Sequence, residues 1–276
     1  MLRINHLYKI YGNNEEEAMK LIKEGYGKKE IKKKINAVVG VNDISLNVKN
    51  REIFVIMGLS GSGKSTLVRC INRLIEPTSG EIFIENDNEP IEISSLNNND
   101  LREVRRKMIS MVFQNAAVLP HLSVKENILF GLELQNKAVE NKDRVNEIIK
   151  LIGLEGWEDA YPEQLSGGMK QRVGLGRALV VDTDILLMDE PFTGLDPLIK
   201  REMQEWFLDL ISKIDKTVIF ITHDMQEALK IGNRIAIMKS GNIVQVGTRK
   251  EIIDHPVNEY VKDFVSDIKK LMRGDF

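Results

Sequence analysis

The sequence holds one cysteine, Cys70, in 276 residues. A lone thiol excludes an intramolecular disulfide framework and a cysteine-rich metal site. It lies in an apolar stretch, so a buried, reduced side chain is expected. An excess of charge is missing too: 39 Lys and Arg stand against 41 Asp and Glu, a net charge of -2. No basic surplus points to DNA or RNA, and no nucleic-acid partner is expected. Long hydrophobic runs are absent, none approaching the roughly 18–20 residues that span a bilayer. The opening MLRINHLYKIY lacks the unbroken apolar segment of a secretory signal. A soluble, cytoplasmic chain is expected, reaching any membrane through a partner. There is no internal repeat, low-complexity tract or Gly/Ser linker. Apolar residues make up 42% of the chain, enough for the core of one large domain or two small ones.

Several apolar runs end in polar residues. IFVIM (53–57) runs into Gly58, ILLM (185–188) into Asp189-Glu190, VIFIT (218–222) into His223-Asp224, and IAIM (235–238) into a Lys-Ser-Gly turn. Runs without alternation suggest strands buried on both faces of a mainly parallel sheet. In such sheets ligands collect beyond the carboxyl ends of the strands. Leu2–Tyr11, Asn42–Val48 and Glu81–Glu85 alternate more and predict an antiparallel sheet with one wet face. Ser123–Gly153 has a helical pattern, as do Glu202–Ile214 and the tail Asn258–Met272. Between the first two strands lies NNEEEAMKLIKEGYGKKEIKKKIN. It predicts two short helices broken at Gly25 and Gly27, with Ala18, Leu21 and Ile22 on one face and Glu16–Lys20 as an i,i+4 pair. A solvated surface pair is expected.

Gly58-Leu59-Ser60-Gly61-Ser62-Gly63-Lys64-Ser65, followed by Thr66, fits G-x-x-x-x-G-K-[ST] in full, between a strand and a helix. The glycines turn backbone N–H groups onto phosphate oxygens, and the helix N-terminus adds its dipole. Lys64 reaches the β- and γ-phosphates, and Ser65 ligates Mg²⁺. Asp189, at a strand end, is the expected second metal carboxylate. Glu190 can take a proton from, or orient, the attacking water. Asp189 and Glu190 taken alone could equally be acidic strand caps. His223, at another strand end, is a candidate γ-phosphate contact, against the ordinary reading of a lone histidine as structural. Gln114 ends MISMVFQ, a further candidate strand, and could reach the metal or the water. The guanine-reading N-K-x-D is missing, which excludes a typical GTPase. A second phosphate-gripping element, Gln164–Arg172 (QLSGGMKQR), has no counterpart in a small-molecule kinase.

Together, in this order, the phosphate loop, Gln114, LSGGMKQR, ILLMDEP, GLD and His223 resemble the ATPase subunits of ABC transporters over nearly the whole chain. The resemblance implies an α/β P-loop NTPase with a RecA-like core sheet, an antiparallel β subdomain and an inserted helical subdomain. It implies a head-to-tail dimer of two copies, with ATP and Mg²⁺ sandwiched between one copy's phosphate loop and the other's Ser166, Gly167 and Gly168. By the same likeness Glu190 is the catalytic base, His223 the γ-phosphate switch, Gln114 the link to the membrane partner, and Asp196 part of a loop signalling across the dimer. Tyr11, in KIYG, resembles the aromatic that stacks on adenine; an ordinary sheet tyrosine is the alternative.

Within that family, IFVIMGLSGSGKSTLVRCINRLIEPTSGEI, LREVRRKMISMVFQ, YPEQLSGGMKQRVGL and LDPLIKREMQ look like the ATPase of glycine betaine/proline-betaine importers, which also carry a helical insert after the first strand. The implied partners are a permease and, indirectly, an extracytoplasmic substrate-binding protein or domain, with the chain at the cytoplasmic face of the membrane. The expected organisation is an ATPase domain over 1–247, its helical subdomain at about 115–170 and its insert at about 13–36, then a helical tail over 248–276. Many members continue into CBS domains; none is expected here, nor osmotic gating through them. Competing readings are an importer ATPase for an amino acid or other small solute, a non-transport ABC ATPase acting in translation or DNA repair, and a non-hydrolytic subunit. The paired cassettes or long coiled-coil inserts usual in non-transport members are absent, and Lys64, Glu190 and His223 together argue against a non-hydrolytic subunit.

Overall fold

The computed structural model describes residues 1–85, 89–135 and 142–273. The chain divides into two compact units, Met1–Leu101 with Ile221–Phe276, and Arg102–Phe220. The first unit opens with β1 (Leu2–Tyr11), α1 (Glu15–Lys23), α2 (Lys28–Ile35), β2 (Val38–Val48), β3 (Ile53–Met57), α3 (Lys64–Ile71), β4 (Ser79–Ile84), β5 (Ile91–Glu92) and α4 (Asn98–Lys107), which crosses the boundary. The second holds β6 (Ile109–Val112), α5 (Val124–Glu133), α6 (Lys142–Leu151), α7 (Gly167–Leu179), β7 (Ile185–Asp189), α8 (Pro197–Ser212) and β8 (Thr217–Thr222), whose last two residues return to the first unit. α9 (Met225–Ile231), β9 (Arg234–Lys239), β10 (Asn242–Thr248), α10 (Arg249–Asp254) and α11 (Glu259–Arg273) complete the first unit. Residues 136–141 of the expected helical stretch and 274–276 of the expected tail lie outside the described residues.

The two kinds of apolar pattern sort into two kinds of sheet. The alternating segments form an antiparallel sheet of order β2-β1-β4-β5. The unbroken runs become parallel neighbours: β3 with β9 in the first unit, β6 with β7 in the second. β3, β7 and β8 are buried along their whole length, as strands covered on both faces must be. Helix α3 sets Leu67, Val68, Cys70 and Ile71 inward. Burial pushes the Cys70 thiol up to about 12, so it stays protonated and inert at neutral pH.

The insert departs from expectation. α1 and α2 are there, but they are not merely a solvated surface pair. Ala18 and Ile31 are fully buried with Ile10 of β1, Val39 of β2 and Ala37 just before β2, and Met19, Leu21, Ile22, Tyr26 and Ile35 pack around them. Each large apolar side chain buried this way contributes roughly 1.5–3 kcal/mol. The Gly27 N–H donates to Glu30 Oε2 at 2.8 Å, fixing the start of α2. Lys9 Nζ lies 3.7 Å from Glu15 Oε1, tying α1 to β1. The insert is thus a small cored element bound to the antiparallel sheet.

In the second unit, α5 begins at a reciprocal cap. Ser123 N–H donates to Glu126 Oε2 at 2.7 Å, and Glu126 N–H to Ser123 Oγ. The fully buried Asn127 accepts from Leu119 N–H and donates to the Leu119, Leu122 and Ser123 carbonyls, so its burial is compensated. α8 starts at Pro197, five residues before the expected Glu202. Asp196 caps it and Pro197 occupies its first position, where a missing N–H costs nothing.

Candidate functional site

In the first unit the loop from Gly58 to Ser65 leaves the buried β3 and enters α3. Gly63 caps α3 at φ +107°, a conformation that L side chains rarely adopt. A Cβ there would stand 2.1 Å from Gly40 O, and one at Gly58 would stand 2.3 Å from Met238 O. Neighbouring backbone therefore presses on both glycines. The turn between β9 and β10 closes the cradle: Gly241 N–H donates to Ser62 O at 2.8 Å, and Asn42 N–H to Gly241 O at 2.9 Å. Lys64 is 4% exposed, and its Nζ donates to Gly58 O at 2.8 Å and Leu59 O at 3.2 Å. A buried ammonium is therefore held across the loop by the loop's own carbonyls. Ser62 Oγ is buried without a hydrogen-bond partner among the described residues. Leu59, Ser60 and Gly61 form the exposed crest, while Ser65 and Thr66 start α3 half-buried.

Tyr11, the last residue of β1, stands beside this loop. Its hydroxyl lies 3.2 Å from Thr66 Oγ1, and Lys9 Nζ lies 5.3 Å from its ring centroid. Gly40 makes the approach possible, since a Cβ there would meet Tyr11 Cε2 at 2.9 Å and Thr66 Cγ2 at 3.1 Å. His223 is exposed in the turn after β8. Asp224 fixes that turn by accepting from Gln226 and Glu227 N–H, while its own N–H donates to Thr222 Oγ1.

The second unit gathers the remaining candidates. Ser166 caps α7, its Oγ accepting from Met169 N–H at 3.2 Å. Gly167 and Gly168 are the first two helical residues, whose N–H groups have no intrahelical acceptor. The missing side chains let α8 come close: a Cβ on Gly168 would lie 3.0 Å from Ile199 Cγ2, and one on Gly167 would lie 3.1 Å from Leu195 Cδ2. Asp196 caps α8 by accepting from Leu198 N–H at 3.0 Å. The structure thus joins the Ser-Gly-Gly turn to the segment carrying Asp196.

Asp189 ends β7 and is 1% exposed. Glu190 follows at φ +49°, a strained conformation for a residue with a side chain. Thr193 Oγ1 donates to Glu190 Oε2 at 3.1 Å, and Thr193 N–H to Glu190 O at 3.2 Å. Phe192 anchors the turn from below, with ring centroids 6.0 Å from Phe207 and 5.7 Å from Phe220. Gln114 is not the end of a strand: β6 stops at Val112, and Gln114 sits exposed in the turn beyond. Its carbonyl accepts from Gln171 Nε2 at 3.2 Å, and Arg177 Nη2 donates to Ala116 O at 3.3 Å. Gly174 lets the loop lie on α7, where a Cβ would meet Ala116 O at 2.8 Å. Ala116 and Ala117 carry φ of +55° and +48° to make that contact.

Thr193, Gly40, Gly241 and the Phe192 cluster were not foreseen from the sequence. Each acts through a contact distant along the chain, except Thr193, whose spacing of three from Glu190 was a readable turn signal. Among the described residues no cluster of three or more His, Cys, Asp or Glu could hold a metal. No helix among the described residues is long and apolar enough to cross a membrane.

A family model described as ABC transporter matches residues 41–193. The chain is 54% identical over 268 residues to the glycine betaine transport ATP-binding protein OpuAA of Bacillus subtilis, covering 97% of this chain and 63% of the relative. It is 50% identical to the glycine betaine/proline betaine transport system ATP-binding protein ProV of Escherichia coli, covering 95% and 65%. It is 46% identical to the trimethylamine N-oxide transport system ATP-binding protein TmoW of Pelagibacter ubique, covering 98% and 78%. The chain thus spans less than two thirds of the length of the first two. Among solved structures, the dimeric post-hydrolysis state of the ATP-binding cassette MJ0796, bound to ADP and Pi, superposes with a TM-score of 0.73. It is 31% identical and covers 90% of this chain and 99% of its own.

Proposed function

Because this chain belongs to the ABC transporter family of ATP-binding proteins, we propose that it hydrolyses ATP to drive import of glycine betaine, proline betaine or a related quaternary amine through a separate permease. The observation that carries the hydrolytic part is the presence in one chain of two anion grips and a constrained carboxylate. One grip is the glycine cradle around the buried Lys64. The other is the Ser166-capped N-terminus of α7, and the carboxylate is Glu190, held by Thr193.

The N–H groups of Gly61 and of Gly63 to Thr66 receive the phosphates, whose charge Lys64 offsets, while Ser62 N–H donates to Leu59 O. The orphan Ser62 hydroxyl and the glycine cradle fit a polyphosphate. Ser65 and Asp189 would hold Mg²⁺, which would supply charge neutralisation for the phosphates. Glu190 orients the attacking water and takes its proton, with Thr193 fixing which carboxylate oxygen faces it. His223 marks the presence of the γ-phosphate, and Tyr11 stacks on the base. The N–H groups of Gly167 and Gly168 close on the nucleotide of a second copy, so two chains complete two sites. Gln114, on a loop bound to α7, links the nucleotide to the permease. The assembly lies on the cytoplasmic face of the membrane, with an extracytoplasmic binding protein or domain selecting the solute.

The loop assignment has a direct check. Gly63→Ala adds a Cβ against Gly40 O at a positive φ, so the cradle must shift. Strain of about 1–3 kcal/mol, if relieved only in the nucleotide-free protein, corresponds to roughly 5- to 150-fold weaker ATP binding by calorimetry. Gly156→Ala, at φ +84° with nothing near its Cβ, is the control and should bind ATP as the parent does. Equal affinities for all three proteins would remove the loop from the nucleotide site.

The substrate reading rests on relatives whose named solutes share a nitrogen that bears four substituents and a formal positive charge. The test is purification of the native membrane complex through this chain, followed by uptake assays in vesicles. ATP-dependent uptake of glycine betaine is expected. Uptake of an amino acid in its place, or no co-purifying membrane protein, would overturn the reading.

A further inference from the structure

The insert carries one side chain to the phosphate loop. Lys28, the first residue of α2, donates from Nζ to Gly61 O at 3.3 Å. Apart from that hydrogen bond, the influences on that ammonium are adverse. It sits at a helix N-terminus, where the dipole disfavours cations. Lys32 lies one turn on, a like-charge i,i+4 neighbour. Half-burial strips part of its water, and desolvation first, Lys32 second, hold its pKa below the usual lysine range. The nearby Glu30 carboxylate is engaged by the Gly27 N–H. Nor is the placement loose, because the Ala18 and Ile31 core binds α1 and α2 to β1 and β2. A local conflict of this kind, firmly held, is expected at a functional position.

We infer that Lys28 is a supplementary cation for the polyphosphate in the phosphate loop of its own chain, which gives the insert a role in nucleotide binding. This rests on the ATP-binding reading above. The chemistry is that of a point charge facing a polyanion, in which a lysine acts through its charge more than through fork geometry. Gly61 favours it: its φ is +74° and nothing lies within 4 Å of where its Cβ would be, so that side of the crest is open to a long side chain.

A plain structural tether would need only a hydrogen-bond donor, and that separates the two roles. Mg-ATP affinity is measured for the parent, Lys28→Gln and Lys28→Arg across a range of salt, with melting of the nucleotide-free proteins alongside. Lys28→Gln is expected to bind Mg-ATP roughly five- to tenfold more weakly at low salt, with the gap closing at high salt. Lys28→Arg should restore most of the affinity. Melting without nucleotide should not fall, because the substitution removes an adverse charge. Parental ATP affinity in Lys28→Gln at low salt would overturn the inference alone, as would a deficit that persists at high salt with lowered melting. Failure of the parent itself to bind ATP would instead sink the underlying reading.

Discussion

Glu190→Gln is expected to bind ATP with parental affinity, to hydrolyse it about 10²–10⁴-fold more slowly, and to accumulate as an ATP-bound dimer. The substitution is nearly isosteric, so the turn should survive. Thr193 can still donate to the amide oxygen where it now donates to Glu190 Oε2. The Phe192, Phe207 and Phe220 rings still fix the segment. What is lost is the base. The strained φ of Glu190 supports this choice, because such strain concentrates where a side chain must be aimed rather than merely accommodated. Steady-state phosphate release and size-exclusion chromatography with Mg-ATP give the two readouts. Parental turnover would assign the base elsewhere.

Ser166→Arg should leave nucleotide binding to the isolated chain nearly intact and abolish turnover. Ser166 is exposed at the N-cap of α7, so a large side chain can be carried without a clash inside its own unit. Loss of the Oγ acceptor for Met169 N–H costs about 1 kcal/mol, and Ser166→Ala measures that cost separately. Anything beyond it reflects the added bulk and charge blocking the N–H groups of Gly167 and Gly168. Equal loss of ATP binding in Ser166→Arg would mean that the turn acts within its own chain.

Much of this site was legible because its signals are local. The phosphate loop, Asp189, Glu190 and the Ser-Gly-Gly turn each sit at the end of an apolar run or the start of a helix, where a short window carries the pattern. Most of what escaped depends on partners outside the segment being read. The insert looked solvated because Ala18 and Ile31 find their apolar neighbours on Ile10, Ala37 and Val39, outside its own helices. Gly40 and Gly241 look like ordinary strand and turn glycines until Gly63 and Ser62 are placed against them. Gln114 was assigned to a strand end because MISMVFQ reads as one run, yet Ala116 and Ala117 turn the chain early to meet α7. The start of α8 was missed because its first turn is exposed at Leu198 and shows no amphipathic period, although Asp196-Pro197 was a readable start signal.

The central claim is tested most directly by the structure of Glu190→Gln grown with Mg-ATP. The account predicts two chains related head to tail. Each triphosphate should lie in the Gly58–Thr66 loop of one copy, with the partner's Gly167 and Gly168 N–H groups within hydrogen-bond distance of its γ-phosphate. A triphosphate enclosed by one chain alone, with both pairs of these glycines turned away from it, would contradict the account.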